Sequence, residues 1–179
     1  PPFMDGGSRE FMEGLIKTGT RELDQSIEPL VITRPFSFTD GNAELVATPH
    51  DGLRLSAFVE FPGTVVGSMG FSAEITEREF LEEVSAARTF AKKADLEGLK
   101  AAGLAKGGNL ENAVVFDKNS YLNKHLNFKD EVVRHKIIDL LGDLTLINRP
   151  LVGHFWAWRA GHQSHVRFAK ALNSEFATE

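Results

Sequence analysis

The sequence predicts an α+β fold, a two-layer sandwich in which helices cover one face of a mostly antiparallel sheet. Three observations lead to this class. Stretches with the two-residue alternation of strands lie before residue 62, stretches with helical periodicity dominate from Thr76 onward, and Asp40-Gly41 and Asp51-Gly52 are hairpin-turn signals. An order of early strands and later helices is typical of sheets with helices on one face.

The strands are predicted from alternation and from turn residues. Residues 30–38 are predicted as a strand in which Pro35 marks an edge or a bulge, because proline cannot donate to a strand ladder. Residues 42–48 form the next strand. The clearest strand is 53–61, where apolar residues alternate with polar or small ones. We expect this last strand to lie centrally in the sheet with one face buried.

The helices are predicted from caps and apolar stripes. Ser8 suits the N-cap of a short helix that runs to Lys17. Thr76 and Glu79 form a capping box, and the apolar stripe that follows runs to Phe90. The remaining predicted elements are a helix at 95–102, a strand at 113–116, a helix at 130–147, a strand at 151–158 and a helix at 162–176.

Composition narrows the possible functions. Of the 179 residues 42% are hydrophobic and 25% charged, an ordinary balance for a globular protein. There is no cysteine, so any metal must be bound by His, Asp or Glu. The net charge of -5 argues against general nucleic-acid binding. No apolar run is long enough to span a bilayer, and we expect a cytoplasmic or organelle-matrix protein.

One predicted helix carries the side chains best suited to chemistry. His135, Asp139 and Asp143 are spaced at i, i+4 and i+8 and therefore lie along one side of that helix. An imidazole and a carboxylate one turn apart can bind a single Zn²⁺ at ~2.0–2.2 Å. The same spacing occurs on ordinary helices, where a histidine makes an i+4 hydrogen bond. The pattern alone therefore leaves both interpretations open.

Other candidate residues carry weaker signals. His162 follows a strand and a glycine, where functional side chains often lie, although capping and surface roles are more common there. His154 lies in an apolar strand and is interpreted as a core residue. The other histidines considered are interpreted as surface or loop residues and the tryptophans as packing residues: His50, His125, His165, Trp156 and Trp158.

Two loops offer further ligand contacts. Arg88-Thr89-Phe90 ends a predicted helix, where backbone carbonyls and a hydroxyl could meet a ligand. Gly107-Gly108 permits close approach of the backbone to a bound chain. A plain helix terminus and a plain turn are the alternative interpretations. Neither loop has the Gly-Lys-Ser/Thr sequence of a phosphate-binding P-loop.

Five segments in order carry a resemblance that no single residue carries. They are 3–8, 85–90, 103–113, 128–144 and the pair Gly161-His162. Together they resemble the zinc-dependent UDP-3-O-acyl-N-acetylglucosamine deacetylases of lipid A synthesis, with 128–144 similar to the signature helix of that family. Residues 3–8 are similar to the junction between its two domains. The match runs essentially end to end.

The resemblance implies a role for each candidate. His135 and Asp139 would be two of three zinc ligands, and Asp143 would orient His162, the electrostatic partner or general acid for the leaving amine. Residues of about 91–117 would be an inserted βαβ element that walls the fatty-acyl passage. The substrate-binding residues would be Lys136, Thr89, Phe90 and Asp95.

The resemblance also implies that the chain is part of a larger site. Residues 1–179 would be a single domain similar to the C-terminal domain of the family, with the N-terminal domain absent. In the family that domain supplies the third zinc ligand, a His, and the general-base Glu. The partner would be such a domain or another protein subunit, the substrate an acylated UDP-sugar, and the isolated chain would be inactive.

Two other interpretations remain open at this point. The chain could be an inactive paralogue that persists as a structural or interaction subunit, or an unrelated α+β binding domain. Ala91-Lys92, where the family usually has Gly-Phe, favours the inactive paralogue. The retained cluster of His135, Asp139, Asp143 and His162 favours the enzyme, because burying charged groups without a purpose costs desolvation energy.

Overall fold

The computed structural model describes residues 4–103 and 106–176. In this part of the chain the helices are α1 (Arg9–Thr18), α2 (Glu77–Glu79), α3 (Leu96–Ala101), α4 (Glu131–Leu144) and α5 (His162–Phe176). The strands are β1 (Leu30–Val31), β2 (Phe36–Asp40), β3 (Ala43–Thr48), β4 (Leu53–Phe61), β5 (Gly67–Glu74), β6 (Phe90–Lys92), β7 (Val114–Phe116) and β8 (Leu151–Trp158). Residue 3 and residues 104–105, parts of two segments named above, lie outside the described residues.

A mixed sheet of six strands forms one layer. Its order is β2-β3-β8-β4-β5, and β1 pairs with the start of β8. Strand β8 is parallel to β1 and β4, whereas the other neighbouring pairs are antiparallel. The sheet is therefore mostly antiparallel, as predicted. Strand β4 is an interior strand between β8 and β5, while β8 takes the middle of the sheet.

Helices α4 and α5 pack against one face of this sheet and form the second layer. Strand alternation directs Leu45, Leu55 and Phe155 into the space between the layers, where each is fully buried. The helices contribute buried apolar side chains from one side each: Val133, Ile137, Leu140, Leu144, Phe168 and Leu172. These layers confirm the α+β class. No helix of the described residues is long and apolar enough to cross a membrane.

A small βαβ unit lies outside the main sheet. Strands β6 and β7 pair in parallel, with Phe90 opposite Val114 and Lys92 opposite Phe116. Parallel neighbours need a crossover connection, and α3 lies within it. This is the βαβ-type insert of the predicted fold, and two buried β7 residues, Val114 and Phe116, join it to the core.

The predicted strand at 30–38 is wrong in detail. Ile32 still donates a backbone hydrogen bond to Val152, but β2 begins only at Phe36, so two short strands replace one. Pro35 lies at the break, because its fixed φ and missing N–H are unsuited to a continuous ladder.

The predicted helix from Thr76 to Phe90 is too long. The capping box is present, with Thr76 accepting from the Glu79 N–H at 3.2 Å, but after α2 the helix widens into a π-turn that ends at Val84. The following residues pair with the N-terminal segment instead, through Ser8 N–H to the Ser85 carbonyl and Thr89 N–H to the Gly6 carbonyl, each 2.8 Å. Tertiary pairing therefore overrides the helical periodicity.

Glycine is required where the N-terminal segment crosses the βαβ unit. Gly6 has φ +81, and a Cβ there would lie 1.7 Å from the Asn112 carbonyl oxygen. No side chain larger than hydrogen fits that approach. The segment 3–8, noted above only for its resemblance, thus has a packing role in its described part.

Strand β5 has no counterpart in the sequence predictions. Its glycines, Gly67 and Gly70, depress strand propensity and hide the alternation. In the structure the ring of Phe58 from β4 covers Gly70, where a Cβ would lie 2.7 Å from the ring. Strand β5 is therefore stabilised by its pairing with β4 rather than by its own strand propensity.

Candidate active site

The side of α4 that faces away from the sheet brings a largely buried imidazole and carboxylate toward each other. Apolar residues bury the opposite side of the helix, which turns His135 and Asp139 away from the sheet. Their Nε2 and Oδ1 atoms are 3.4 Å apart. The His135 Nδ1 lies 3.0 Å from the carbonyl oxygen of Ala87, which can only accept, so Nδ1 carries the hydrogen and Nε2 offers its lone pair.

The carboxylate of Asp139 is held in its charged form. Burial alone would raise its pKa, but the hydrogen bond and charge of His135, together with Lys136, hold the pKa well below its usual range. The Nζ of Lys136 donates to Oδ2 at 2.8 Å, so Oδ1 is the oxygen that faces the imidazole. A carboxylate oxygen and an imidazole nitrogen therefore converge on one point.

One turn further along α4, Asp143 bridges two histidines of α5. Its Oδ2 accepts from Nδ1 of His162 and from Nδ1 of His165, each at 2.8 Å. The side chain of His162 is 71% exposed, whereas that of His165 is 1% exposed. The Nε2 of His162 lies 3.9 Å from Oδ1 of Asp139, which links this bridge to the first pair.

The Thr89-Phe90 corner borders the same group. The ring of Phe90 meets the His135 ring edge-on, with centroids 6.1 Å apart. The corner is anchored by the buried guanidinium of Arg88, which donates to Glu131 of α4 from Nε at 2.8 Å and from a terminal nitrogen at 3.1 Å. The side chain of Glu131 is 0% exposed, so this is a fully desolvated ion pair.

An apolar cavity of about 500 Å³ opens beside this corner. It is lined mainly by the βαβ unit, with residues from β6, α3, the loop before β7 and β7, and Thr89 and Phe90 form part of its wall. Its other apolar lining includes Leu96, Leu99, Leu110, Val115 and Leu122. A cavity of this size and lining suits the apolar chain of a ligand whose polar part lies at the imidazole–carboxylate group.

Two groups of side chains could hold a metal ion. Two ligand atoms of one tetrahedral zinc lie roughly 3.3 Å apart, and the Nε2 and Oδ1 atoms of His135 and Asp139 fit that spacing. Asp143, His162 and His165 also offer ligand atoms within 4.8 Å of one another. In the second group both Nδ1 atoms already donate to the carboxylate, so their lone pairs are not available without loss of those bonds.

The donor chemistry favours His135 and Asp139. The carbonyl of Ala87 fixes the imidazole tautomer from behind, which is the usual support for a histidine that binds a metal through its other nitrogen. Lys136 fixes the carboxylate in the same way. These two residues fit zinc, and the described residues place no third ligand atom as close to both.

The structure brings together most of the residues predicted for the site. His135, Asp139, Asp143 and His162 form one contact chain, Phe90 touches His135, and Thr89 precedes it on the cavity wall. Lys136 contacts the carboxylate of Asp139. Asp95 lies apart: it is exposed in the turn Lys93–Asp95 and makes no hydrogen bond or ion pair with this group in the described chain.

Two histidine interpretations are wrong. His165 was expected at the surface or in a loop and is buried against Asp143. His165 lies on the buried side of α5 together with Phe168 and Leu172. The spacing of three and four residues between them is the sequence pattern that could have predicted its burial. His154 was expected in the core but lies half-buried on the sheet face away from the helices, called here the outer face, where Nε2 is 2.8 Å from Ser56 Oγ.

The outer face also holds the two tryptophans. Trp156 stacks on His154 at 4.1 Å and lies parallel to Phe58 at 6.2 Å, but both tryptophans keep more than a third of their surface exposed. They pack against neighbours on the sheet rather than in the core. Burial lowers the pKa of His154 to about 4, helped by the nearby charge of Arg54.

The imidazole–carboxylate group and the apolar cavity thus lie side by side on an α+β sandwich, with Phe90 in contact with both. The chain belongs to the UDP-3-O-acyl N-acetylglycosamine deacetylase family, whose sequence model matches residues 1–174. The predicted resemblance is confirmed.

Relatives share this chain at moderate identity. It is 41% identical over 174 residues to the UDP-3-O-acyl-N-acetylglucosamine deacetylase of Leptospira biflexa, covering 97% of this chain and 58% of the relative. The deacetylase of Thermodesulfovibrio yellowstonii is 36% identical over 171 residues, with 96% and 59% covered. That of Campylobacter jejuni is 36% identical over 180 residues, with 99% and 61% covered. The chain spans about three fifths of the length of these relatives.

Proposed function

We propose that this chain supplies the C-terminal, metal-binding half of a zinc-dependent deacetylase that removes the acetyl group from an acylated UDP-N-acetylglucosamine. The observation that carries the proposal is the 3.4 Å approach of His135 Nε2 to Asp139 Oδ1 on the side of α4 that faces away from the sheet. The two atoms face the same side as His162. Family membership and the relatives' names support the substrate class.

The metal would be held by His135 and Asp139 from this chain. A zinc ion there would supply Lewis-acid polarisation of the amide carbonyl. The remaining ligand and the general base would come from a deacetylase N-terminal domain, in this or another chain. Without them the 179 residues, proposed here to be a single domain, are expected to be inactive, because loss of a general base alone costs roughly 10²–10⁴-fold.

His162 is the residue proposed to move a proton. Asp143 accepts from its Nδ1 at 2.8 Å, which leaves Nε2 directed at the neighbourhood of Asp139 Oδ1. In its protonated form the imidazole stabilises negative charge that develops on the substrate oxygen and then donates a proton to the leaving amine. Its 71% exposure leaves room for a substrate to reach it.

The cavity beside the corner is proposed to hold the fatty-acyl chain. Its wall is formed by the βαβ unit, and Thr89 and Phe90 lie between it and His135. An acyl chain in this cavity would lie next to the reacting amide, with its methylenes shielded from water. Lys136, next to Asp139, is proposed to face the sugar or diphosphate, and Asp95 to contact the sugar nucleotide from the exposed start of α3.

The alternative function is a catalytically inactive paralogue that acts as a subunit of a larger complex. The bond between Lys136 Nζ and Asp139 Oδ2 at 2.8 Å favours it, because an ammonium can neutralise the carboxylate without a metal. Lys92, whose Nζ lies 5.1 Å from the Phe61 ring centroid, replaces an apolar family residue near the site. In that case the partner is a protein of another kind.

One recombination experiment separates these functions. The chain is mixed with, or fused to, the remaining N-terminal part of the Leptospira biflexa relative, and acetate release from acylated UDP-N-acetylglucosamine is measured with zinc present. We expect turnover that is lost in His135→Ala and His162→Ala and kept in His154→Ala, a histidine control on the outer face. No turnover, while the relative's own two parts recombine into an active enzyme, would refute the enzyme and support the subunit.

A further inference from the structure

The buried His165 has no role in the proposed chemistry, yet it makes the same bond to Asp143 as the catalytic candidate does. Both Nδ1 atoms lie 2.8 Å from Oδ2. His162 and His165 are three residues apart on the first turn of α5, so they lie on adjacent parts of one helix face. Asp143 reaches between them from α4.

The position of the proton on His165 follows from its surroundings. A carboxylate only accepts, so Nδ1 must be the donor. Burial lowers the pKa of His165, and although Asp143 opposes that shift, the ring is held neutral. Nε2 is then a bare acceptor, and it has no hydrogen-bond partner within the described residues. The bond to Asp143 is therefore the one polar contact that this ring makes in that part of the chain.

The exposed His162 ring, in contrast, has little packing of its own. Its polar contacts within the described chain are Asp143 at 2.8 Å and Asp139 at 3.9 Å, and the second is too long for a hydrogen bond. The orientation of the ring therefore depends on where Oδ2 of Asp143 lies. A hydrogen bond from the Gly161 N–H to Ser164 Oγ, 2.9 Å long, closes the neighbouring turn.

We propose that His165 is a positioning residue: by donating its Nδ1–H to Asp143 Oδ2, it fixes the carboxylate so that His162 keeps Nε2 turned toward Asp139. The buried His165 ring fixes the position of the Asp143 carboxylate, and that carboxylate fixes the orientation of the exposed His162 ring. The effect of His165 on catalysis rests on the proposed function. The hydrogen bonds that join His165, Asp143 and His162 lie within this chain and can be tested without that function.

Two substitutions distinguish a positioning role from a packing role. Asparagine places an N–H near the position of Nδ1, so His165→Asn keeps the bond to Asp143. Glutamine is closer in size to histidine but carries its N–H near the position of Nε2, so His165→Gln loses the bond. His165→Leu removes all polarity and serves as a third variant.

The direct test is nuclear magnetic resonance on the metal-free chain with ¹⁵N-labelled histidine, at a pH about two units above the ordinary histidine pKa of about 6.5. Wild type should show His165 as the Nδ1–H tautomer and His162 as one ordered Nδ1–H species. His165→Asn should keep the His162 signals. His165→Gln and His165→Leu should shift them toward the averaged pattern of a free imidazole.

The proposal is overturned if His165 carries its proton on Nε2, or if the His162 signals are the same in all four proteins. Should His165→Leu fail to fold, the Asn and Gln variants still decide. In the recombined enzyme, kcat should fall about 10–100-fold in His165→Gln with KM unchanged, and His165→Asn should restore most of it. An enzyme inactive in wild type would count against the proposed function and leave the spectroscopic result standing.

Discussion

The helical layer and the outer face of the sheet each hold a polar group built around histidines, and the two groups differ in their neighbours. On the helical side, His135 and His162 lie against the carboxylates Asp139 and Asp143. On the outer face, His154 lies 2.8 Å from a serine hydroxyl and near the guanidinium of Arg54. His135 and His162 thus meet negative charge, whereas His154 meets a hydroxyl group and positive charge.

This difference decides which group can hold a cation. An imidazole beside a carboxylate offers a lone pair and a negative ligand together. On the outer face Glu74, the nearest carboxylate, is already bonded to His50 at 3.0 Å and to Arg54 at 3.0 Å. Histidine content alone would not separate the two faces, whereas the arginine that shares the outer-face carboxylate does.

The largest expected effect is on the free energy of unfolding, which should fall far more when the buried ion pair of Glu131 is broken than when the outer-face pair of Glu74 is broken. Glu131→Ala removes the carboxylate that holds Arg88 and the Thr89-Phe90 corner, and should lower the free energy of unfolding by about 3–5 kcal/mol because it leaves a buried charge unpaired. Glu74→Ala removes an exposed partner of Arg54 and should cost under about 1 kcal/mol. Urea unfolding measures both, and equal losses would contradict the comparison.

Zinc affinity is expected to change next most. His135→Ala should weaken zinc binding on the order of 100-fold or abolish it, because one of two ligands is lost. His154→Ala, on the outer face, should leave it unchanged. Competition with a chromophoric chelator gives both constants. Tight stoichiometric binding that survives His135→Ala would refute the assignment of this ligand.

A smaller effect is expected from pH. The pKa of His154 is about 4 in the folded chain and about 6.5 unfolded, so between these values the unfolded state binds more protons. Stability is therefore complete above about pH 6.5 and falls as the pH drops toward 4. After allowance for solvent screening the loss is roughly 1–2 kcal/mol.

The variant His154→Gln isolates the contribution of His154 to the pH dependence of stability. His154→Gln keeps a polar group near Ser56 but cannot titrate, so its unfolding free energy should vary less across that pH range. Denaturant unfolding at several pH values compares it with wild type. Parallel curves for the two proteins would show that His154 does not titrate as described.

Much of the fold and the site could be predicted from the sequence where local signals agree with tertiary packing. The i, i+4, i+8 spacing on one long helix was enough to place His135, Asp139 and Asp143 along one side. The 53–61 strand was equally clear, because its buried alternation matches its own propensity. The segments 128–144 and 85–90 then identified the family, which the sequence comparisons confirm.

Three of the misses share a cause, because each depends on contacts distant in sequence. Strand β5 is defined by β4, and the ring that covers Gly70 comes from there. The helix after Thr76 ends early because residues 85–89 pair with 6–8. The polarity of each face of the sheet was also undetermined, so His154 was interpreted as core. His165 could have been found from its position on the apolar stripe of α5.

Anomalous X-ray scattering from crystals of the zinc-loaded chain tests the central claim most directly. The account predicts a single strong zinc peak about 2.0–2.2 Å from both His135 Nε2 and a carboxylate oxygen of Asp139. A peak bonded to Asp143, His162 and His165, or to the outer-face histidines, with none between His135 and Asp139, would contradict it.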